Sequence, residues 1–320
     1  MSKSITSHIG LVLGAIASIA SFSAPQASAA NLGVANSFNG FIFGNANTQG
    51  GHAQGAVAVG GNWSGTAYEM MQYAPPQVPY PSVPGATNIG GYVAGSVTTS
   101  SFLRSDNGNE YYGVSNNGTM TAQSPYSVMS GATNSIFTSA YNYLSSMSSN
   151  LASYSGLTIN TSDPNNITVD LSQNTLHGNL LVYNLNASSI TGNKTLNFTN
   201  GNSGETIVIN VTGNLSSWGW TLNYQYDNNV LWNFENATTI NIDQRAFDGS
   251  ILAVNATVNQ AQNIEGNLIA QNWNDTGAPE LHFGSQFMFS GNLPAVPEPR
   301  SALLFAAGLG LIMRRRTRLP

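Results

Sequence analysis

Apolar and polar residues alternate in short phrases along most of the chain, and two of those phrases are nearly identical. Asp248-Gly249-Ser250-Ile251-Leu252-Ala253-Val254-Asn255 returns seventeen residues later as Glu265-Gly266-Asn267-Leu268-Ile269-Ala270-Gln271-Asn272. Looser copies start at His177-Gly178-Asn179-Leu180 and Thr212-Gly213-Asn214-Leu215. The marker glycines 178, 213, 249 and 266 are 35, 36 and 17 residues apart, which reads as two, two and one steps of about 17.6 residues. A flat sheet has no reason to keep a period, whereas a solenoid must bring each coil back to one place before stacking it. At roughly 3.3 Å per extended residue the perimeter is about 60 Å, which suits a three-faced tube with glycine corners. The expected fold is therefore mainly β, a right-handed β-helix-like solenoid. Leu180, Ile251 and Leu268 should stack inward, with Asn184, Asn255 and Asn272 in one amide column.

Earlier residues carry the same short β phrases, Gln54 to Asn62 and Gly91 to Val97. Between them the Pro-rich stretch 74–84 reads as an extended surface loop, because proline cannot donate into a ladder. A stretch from Arg104 to Ser124, rich in Asn and Gly, reads as a second excursion. One segment breaks the β pattern. Ile136, Ala140, Tyr143, Met147, Leu151 and Tyr154 follow helical spacing, which predicts a long helix over about 133–155, lying lengthwise on the solenoid. Its Ser and Asn residues are weak helix formers, so burial must hold it.

Composition agrees with a β protein: 7% of the 320 residues are charged, against 41% hydrophobic. Zero cysteines exclude disulfides and thiolate metal sites. The two ends look like processing signals. Lys3, an apolar run from Ile9 to Ala20 and the small-residue pattern ending Ala27-Ser28-Ala29 predict a signal peptide over 1–29, removed by signal peptidase. At the other end, 294–320, Val296-Pro297-Glu298-Pro299 leads into thirteen apolar residues, 301–313, and then Arg314, Arg315 and Arg316. Thirteen residues make roughly 20 Å of helix, short against a hydrocarbon core of about 30 Å, and the arginines would stay cytoplasmic. This tail resembles the PEP-CTERM sorting signal. The resemblance implies recognition by an exosortase-type protease, a transient membrane-tethered intermediate held by the short helix, and delivery to the cell surface or extracellular matrix of an exopolysaccharide producer. Between the ends, 30–293, three cations face thirteen acids, a net charge of −10. Such a surface is a poor partner for nucleic acid.

The body itself resembles the choice-of-anchor A domain. NSFNGFIFGN, GAVAVGGNW, the central helix, GSILAVNATV, NIEGNLIA and ELHFGSQFMFSGNLP carry the likeness in order, from Leu32 to Leu293. It implies a β-solenoid with a helix alongside, similar to ice-binding and adhesive domains, and an adhesive or matrix-associated role. No catalytic set comes with it, and no cofactor, metal or enzymatic activity is expected.

Local chemistry is sparse. His52, His177 and His282 each stand alone, with no metalloprotease, nucleophile-elbow or P-loop motif. His282 alternates with apolar neighbours and reads as a strand histidine. Asp106-Asn107-Gly108-Asn109-Glu110 could offer oxygens to calcium, or form a polar turn. In-register coils would bring Asp248 and Glu265 to about 5 Å, where paired carboxylates can act on a polysaccharide, or splay into water. Trp218, Trp220, Tyr224 and Tyr226 alternate with polar residues; such a stripe can stack on sugars or build core. The threonines Thr98, Thr99, Thr206, Thr238 and Thr239 do not recur at the marker spacing, so no regular ice-binding face is expected.

Overall fold

The computed structural model describes residues 32–284 and 286–295. The expected signal peptide with Ala27 and Ala29, the motif at Val296, Pro297, Glu298 and Pro299, the helix 301–313 and the cluster Arg314, Arg315 and Arg316 lie outside the described residues. Among the described residues no helix is long and apolar enough to cross a membrane.

Three short strands make one lap. The first coil is Gly40–Ile42, Ala46–Thr48 and His52–Ala53, and the second is Val57–Val59, Trp63–Gly65 and Tyr68–Met70. Each strand pairs in parallel with its equivalent one coil on: Gly40 faces Val57, Ala46 faces Trp63, and His52 faces Glu69. The result is a β-solenoid. Its first face is buried on both sides, as parallel strands covered by a helix should be: Ile42, Val57, Ile251 and Leu268 fill the lumen, while Phe41, Ala58, Leu252 and Ile269 meet the helix. Its second face continues the same sheet, because Ser250–Gln260 and Leu268–Asp275 run around the corner, with a register break between Ala253 and Thr257. The third face is a seven-stranded sheet joined by a three-stranded one.

Coil order departs from chain order. Gly40, Phe41 and Ile42 of the first coil pair on their other edge with Leu268, Ile269 and Ala270 of the last. From this seam the early coils stack one way as far as Val128–Ser130; the helix then returns the chain past the seam to Leu157–Thr158, and the later coils wind back to close it.

The expected constant period is corrected. Facing residues are 17 apart at Ile251 and Leu268, 19 at Leu231 and Ser250, 23 at Ile207 and Val230, and 26 at Leu180 and Thr206. The extra residues build the sheet Asn166–Asp170, Lys194–Thr199 and Trp220–Asn223, which widens that end of the tube. Gly249 and Gly266 do stand on adjacent coils, with φ of 98° and 155°. A Cβ on Gly266 would lie 2.7 Å from the Gly249 carbonyl oxygen, so the stack needs glycine there. Gly178 and Gly213 are not their equivalents, since Ser250, the residue after Gly249, stands in register with Leu231, Val208 and Val182 rather than with Asn179 or Asn214. Consequently Tyr183, rather than Leu180, shares the lumen row with Ile251 and Leu268, and Leu180 packs on the helix side.

The amide column is also different. Asn184, Asn210 and Asn233 stack in register, whereas Asn255 falls in the register break and Asn272 faces Thr257. That column lies under the C-terminal end of the helix, Ser135–Ser153, whose last four C=O groups have no partner within the helix. Asn233 Nδ2 donates to the Ser148 carbonyl at 2.9 Å and to Asn210 Oδ1 at 2.9 Å. Asn210 Nδ2 donates to the Leu151 carbonyl at 3.0 Å, and Asn184 Nδ2 to the Gly156 carbonyl at 3.1 Å. The helix buries Phe137, Ala140, Leu144, Met147, Ser148 and Leu151, so its inner face is turned slightly from the stripe expected: Ile136, Tyr143 and Tyr154 are half-buried at the margin. The Pro-rich stretch 74–84 carries no strand, as expected of a loop, and Val78 and Val83 anchor it in the same cluster as Phe283. The second excursion is corrected: the stretch 104–124 contains most of a regular coil, with strands Asn109–Tyr112, Ser115–Asn116 and Met120–Ala122.

Candidate functional site: a flat amide and hydroxyl face

On the second face the row Ile240, Val258, Trp273, Ala46, Trp63 and Val97 points into the lumen. Because successive side chains of a strand alternate, the residues on either side of this row form two outward columns. One holds Thr239, Thr257, Asn272, Asn45, Asn62, Ser96 and Ser115; the other holds Asn241, Asn259, Asn274, Asn47, Ser64 and Thr98. Every one of these side chains is an amide or a hydroxyl, and none is charged.

The columns are internally bonded, which holds the face rigid. Asn45 N–H donates to Asn272 Oδ1 at 2.9 Å, Asn62 N–H to Asn45 Oδ1 at 2.8 Å, and Ser96 N–H to Asn62 Oδ1 at 2.9 Å. In the second column Asn259 Nδ2 donates to Asn241 Oδ1 at 2.8 Å and Asn274 Nδ2 to Asn259 Oδ1 at 2.9 Å. Neighbouring groups in a column repeat at about 4.8 Å, the spacing of strands. A regular face therefore exists, contrary to the expectation from threonines alone. Its sequence signal is the recurrence of Asn45 at Asn62 and Asn47 at Ser64, seventeen residues on.

The third face is where charge gathers. Asp248 and Glu265 are register partners on adjacent coils, as expected, but each is committed elsewhere. Asp248 Oδ2 accepts the Leu222 amide at 2.8 Å, and burial pushes its carboxyl up to about 6. Glu265 Oε2 meets His282 Nδ1 at 2.7 Å, and His282 Nε2 meets Glu280 Oε2 at 2.7 Å. Held by Glu265 first and Glu280 after it, the imidazole is raised to about 9 despite its partial burial. His52 Nε2 lies 3.4 Å from Glu280 Oε2, so this row crosses the seam. His177 is elsewhere, with Nε2 3.2 Å from the Ser155 carbonyl. In the turn weighed as a calcium ligand set or a plain polar turn the two acids part: Asp106 accepts from Arg104 Nε at 2.9 Å, while Glu110 is buried in the lumen, where burial lifts its carboxyl well above the usual range. No group of three or more His, Asp or Glu that could hold a metal ion occurs among the described residues.

The aromatic stripe divides. Trp218 and Trp220 have 0% exposure and leave no ring face for a sugar. Trp218 packs against Phe247 at 4.2 Å and Trp232 at 5.1 Å, and its Nε1 donates to the Ala246 carbonyl. Tyr224 and Tyr226 are half-buried at the rim of the three-stranded sheet.

Residues 31–283 match the model of a family described as Putative Ice-binding-like adhesive domain. No curated protein matches the chain. Among solved structures, the chain is similar to the ice-binding protein of the Antarctic ascomycete Antarctomyces psychrotrophicus, at 14% identity and TM-score 0.40, over 80% of this chain and 98% of that one. It is similar to an ice-binding protein from an Antarctic biological consortium at 12% identity and TM-score 0.41, over 80% and 90%. A glycosylated ice-binding protein from Arctic yeast follows at 13% identity and TM-score 0.34, over 85% and 96%.

Proposed function

The chain belongs to the ice-binding-like adhesive domain family, and from that premise we propose that it is an exported adhesive protein that holds a hydroxyl-rich extracellular matrix through its flat second face. The carrying observation is the pair of uncharged columns, thirteen amide and hydroxyl side chains, most of them tied to a neighbour in the same column. Polar groups held rigid before contact lose little entropy on binding, and a repeating array can meet a repeating polymer many times over. The charged row on the third face and the net charge of −10 between residues 30 and 293 disfavour an anionic ligand. A neutral exopolysaccharide is the partner of choice.

The likeness to choice-of-anchor A domains and the two end signals extend this reading. Signal peptidase would act after Ala29, an exosortase-type protease would act at the tail around Val296–Pro299, and the body 30–293 would remain at the cell surface or in its biofilm matrix. Placing lysine at exposed Thr98 and Ser115 should lower retention of the protein on neutral exopolysaccharide by ~10-fold or more, with the unfolding transition unchanged. Full retention by that double variant would sink the proposal.

Ice is the second reading, favoured by the regularity of the same neutral face. Thermal hysteresis in the wild type, lost in the Thr98→Lys and Ser115→Lys double variant, would select it over the polysaccharide. The carboxylate pair Asp248 and Glu265 supports an enzymatic role less well, because each acid already has a protein partner.

A further inference from the structure

We propose that the wide end of the solenoid carries a discrete subsite for a single neutral sugar residue, in the cleft of about 280 Å³ beside Tyr224. The proposal deepens the adhesive reading and rests on it for the polymer, while its location is separate from the flat face. The cleft opens where Lys194–Thr199 and the strand Trp220–Asn223 end and the chain turns into the next coil. Asn197, Asn200, Asn223 and Gln225 line it together with the Tyr224 ring, and its lining contains no charged side chain.

The hydrogen-bonding capacity left in this cleft has a particular character. Asn223 Nδ2 donates to Asn197 Oδ1 at 2.8 Å, and Asn200 Nδ2 donates to Asp170 Oδ1 at 2.9 Å. Those bonds orient the two amides and leave Asn223 Oδ1 and Asn200 Oδ1 as open acceptors. Exposed Gln225 adds both a donor and an acceptor. A ligand must therefore donate at least twice and also accept, without charge, which is what adjacent sugar hydroxyls do. The wall supplies the other half of sugar recognition. Tyr224 is fixed edge-on between Phe198 at 5.6 Å and Tyr226 at 5.5 Å, so a rigid aromatic surface stands beside the amides. The Tyr224 hydroxyl is neutral at physiological pH in any case, and burial raises it further, to about 12. An anion would meet the Asp170 carboxylate that stands behind Asn200, and a purely apolar ligand would strand the amide oxygens.

The test uses neutral, uronic-acid and N-acetylated tetrasaccharides, titrated into the protein while amide resonances are followed by NMR. Shifts confined to 197–201 and 223–225, produced by a neutral tetrasaccharide, are expected. Gln225→Ala and Asn223→Asp should each weaken that binding by ~10-fold, the loss that about one hydrogen bond represents, whereas Ser139→Ala, on the exposed side of the helix, should leave it unchanged. Absence of shifts at millimolar neutral sugar, a preference for uronic acids, or binding indifferent to both cleft variants would overturn the subsite. If polysaccharide retention then still responds to Thr98→Lys and Ser115→Lys, only the subsite has failed; if it does not, the adhesive reading has failed too.

Discussion

The side-chain oxygen of Asn45 accepts the backbone amide of Asn62 at 2.8 Å, one coil away. Asn62 does the same for Ser96 at 2.9 Å. The outward amides thus serve the backbone of the following coil while presenting their remaining edges to solvent, so the polar face and the scaffold are one set of bonds. Asn62→Ala should cost about 0.5–1.5 kcal/mol, because the Ser96 amide sits near solvent and can recover water. Urea unfolding will read this as a lower midpoint with an unchanged slope.

Asn233 should matter more. It is 1% exposed and bonds Ser148 through both backbone and side chain, at 2.9 and 2.6 Å. Asn233→Ala removes the donors under the helix and leaves the Ser148 carbonyl and Asn210 Oδ1 without them, for a loss of about 2–4 kcal/mol. Hydrogen exchange in the last two helical turns should accelerate in the same variant.

Trp218→Ala tests the division of the aromatic stripe. A fully buried indole packed on Phe247 and Trp232 predicts a loss of about 3–5 kcal/mol on truncation. Thermal unfolding should move far down in temperature. Retention of full stability would mean that the ring is outside.

His282 gives the fold a pH dependence whose sign is fixed. Its folded-state value of about 9 lies above the ordinary 6.5, so its contribution is fully present below pH 6.5 and fades as the pH climbs through 9. The melting temperature should fall over that window. Glu265→Gln should bring the imidazole midpoint, followed by NMR, back toward 6.5 and flatten the fall.

The solenoid was legible because Ile251 and Leu268 repeat at the true circumference of the narrow coils. Where the tube widens, no fixed spacing survives, and the phrase around Leu180 aligned three residues away from Tyr183, its proper place in the lumen row. The helix was legible from its spacing, although Phe137 and Leu144 shift its buried face. Coil order was not legible. A parallel strand offers two equivalent edges, and nothing in Gly40-Phe41-Ile42 marks Leu268-Ile269-Ala270, rather than another segment, as the second neighbour. The flat face escaped because it is written in asparagine and serine, whose outward positions are set by register rather than by hydrophobicity.

The seam between Gly40 and Leu268 joins residues 228 positions apart. Until the final lap arrives, the opening lap has a bare edge, and a chain cut short anywhere before residue 268 keeps two such edges ready to recruit neighbours. Truncated products should therefore clump rather than persist as half-length tubes. The topology acts as a proofreader for length: only a finished polypeptide can shut its own zip, and it must search across almost its whole contour to do so.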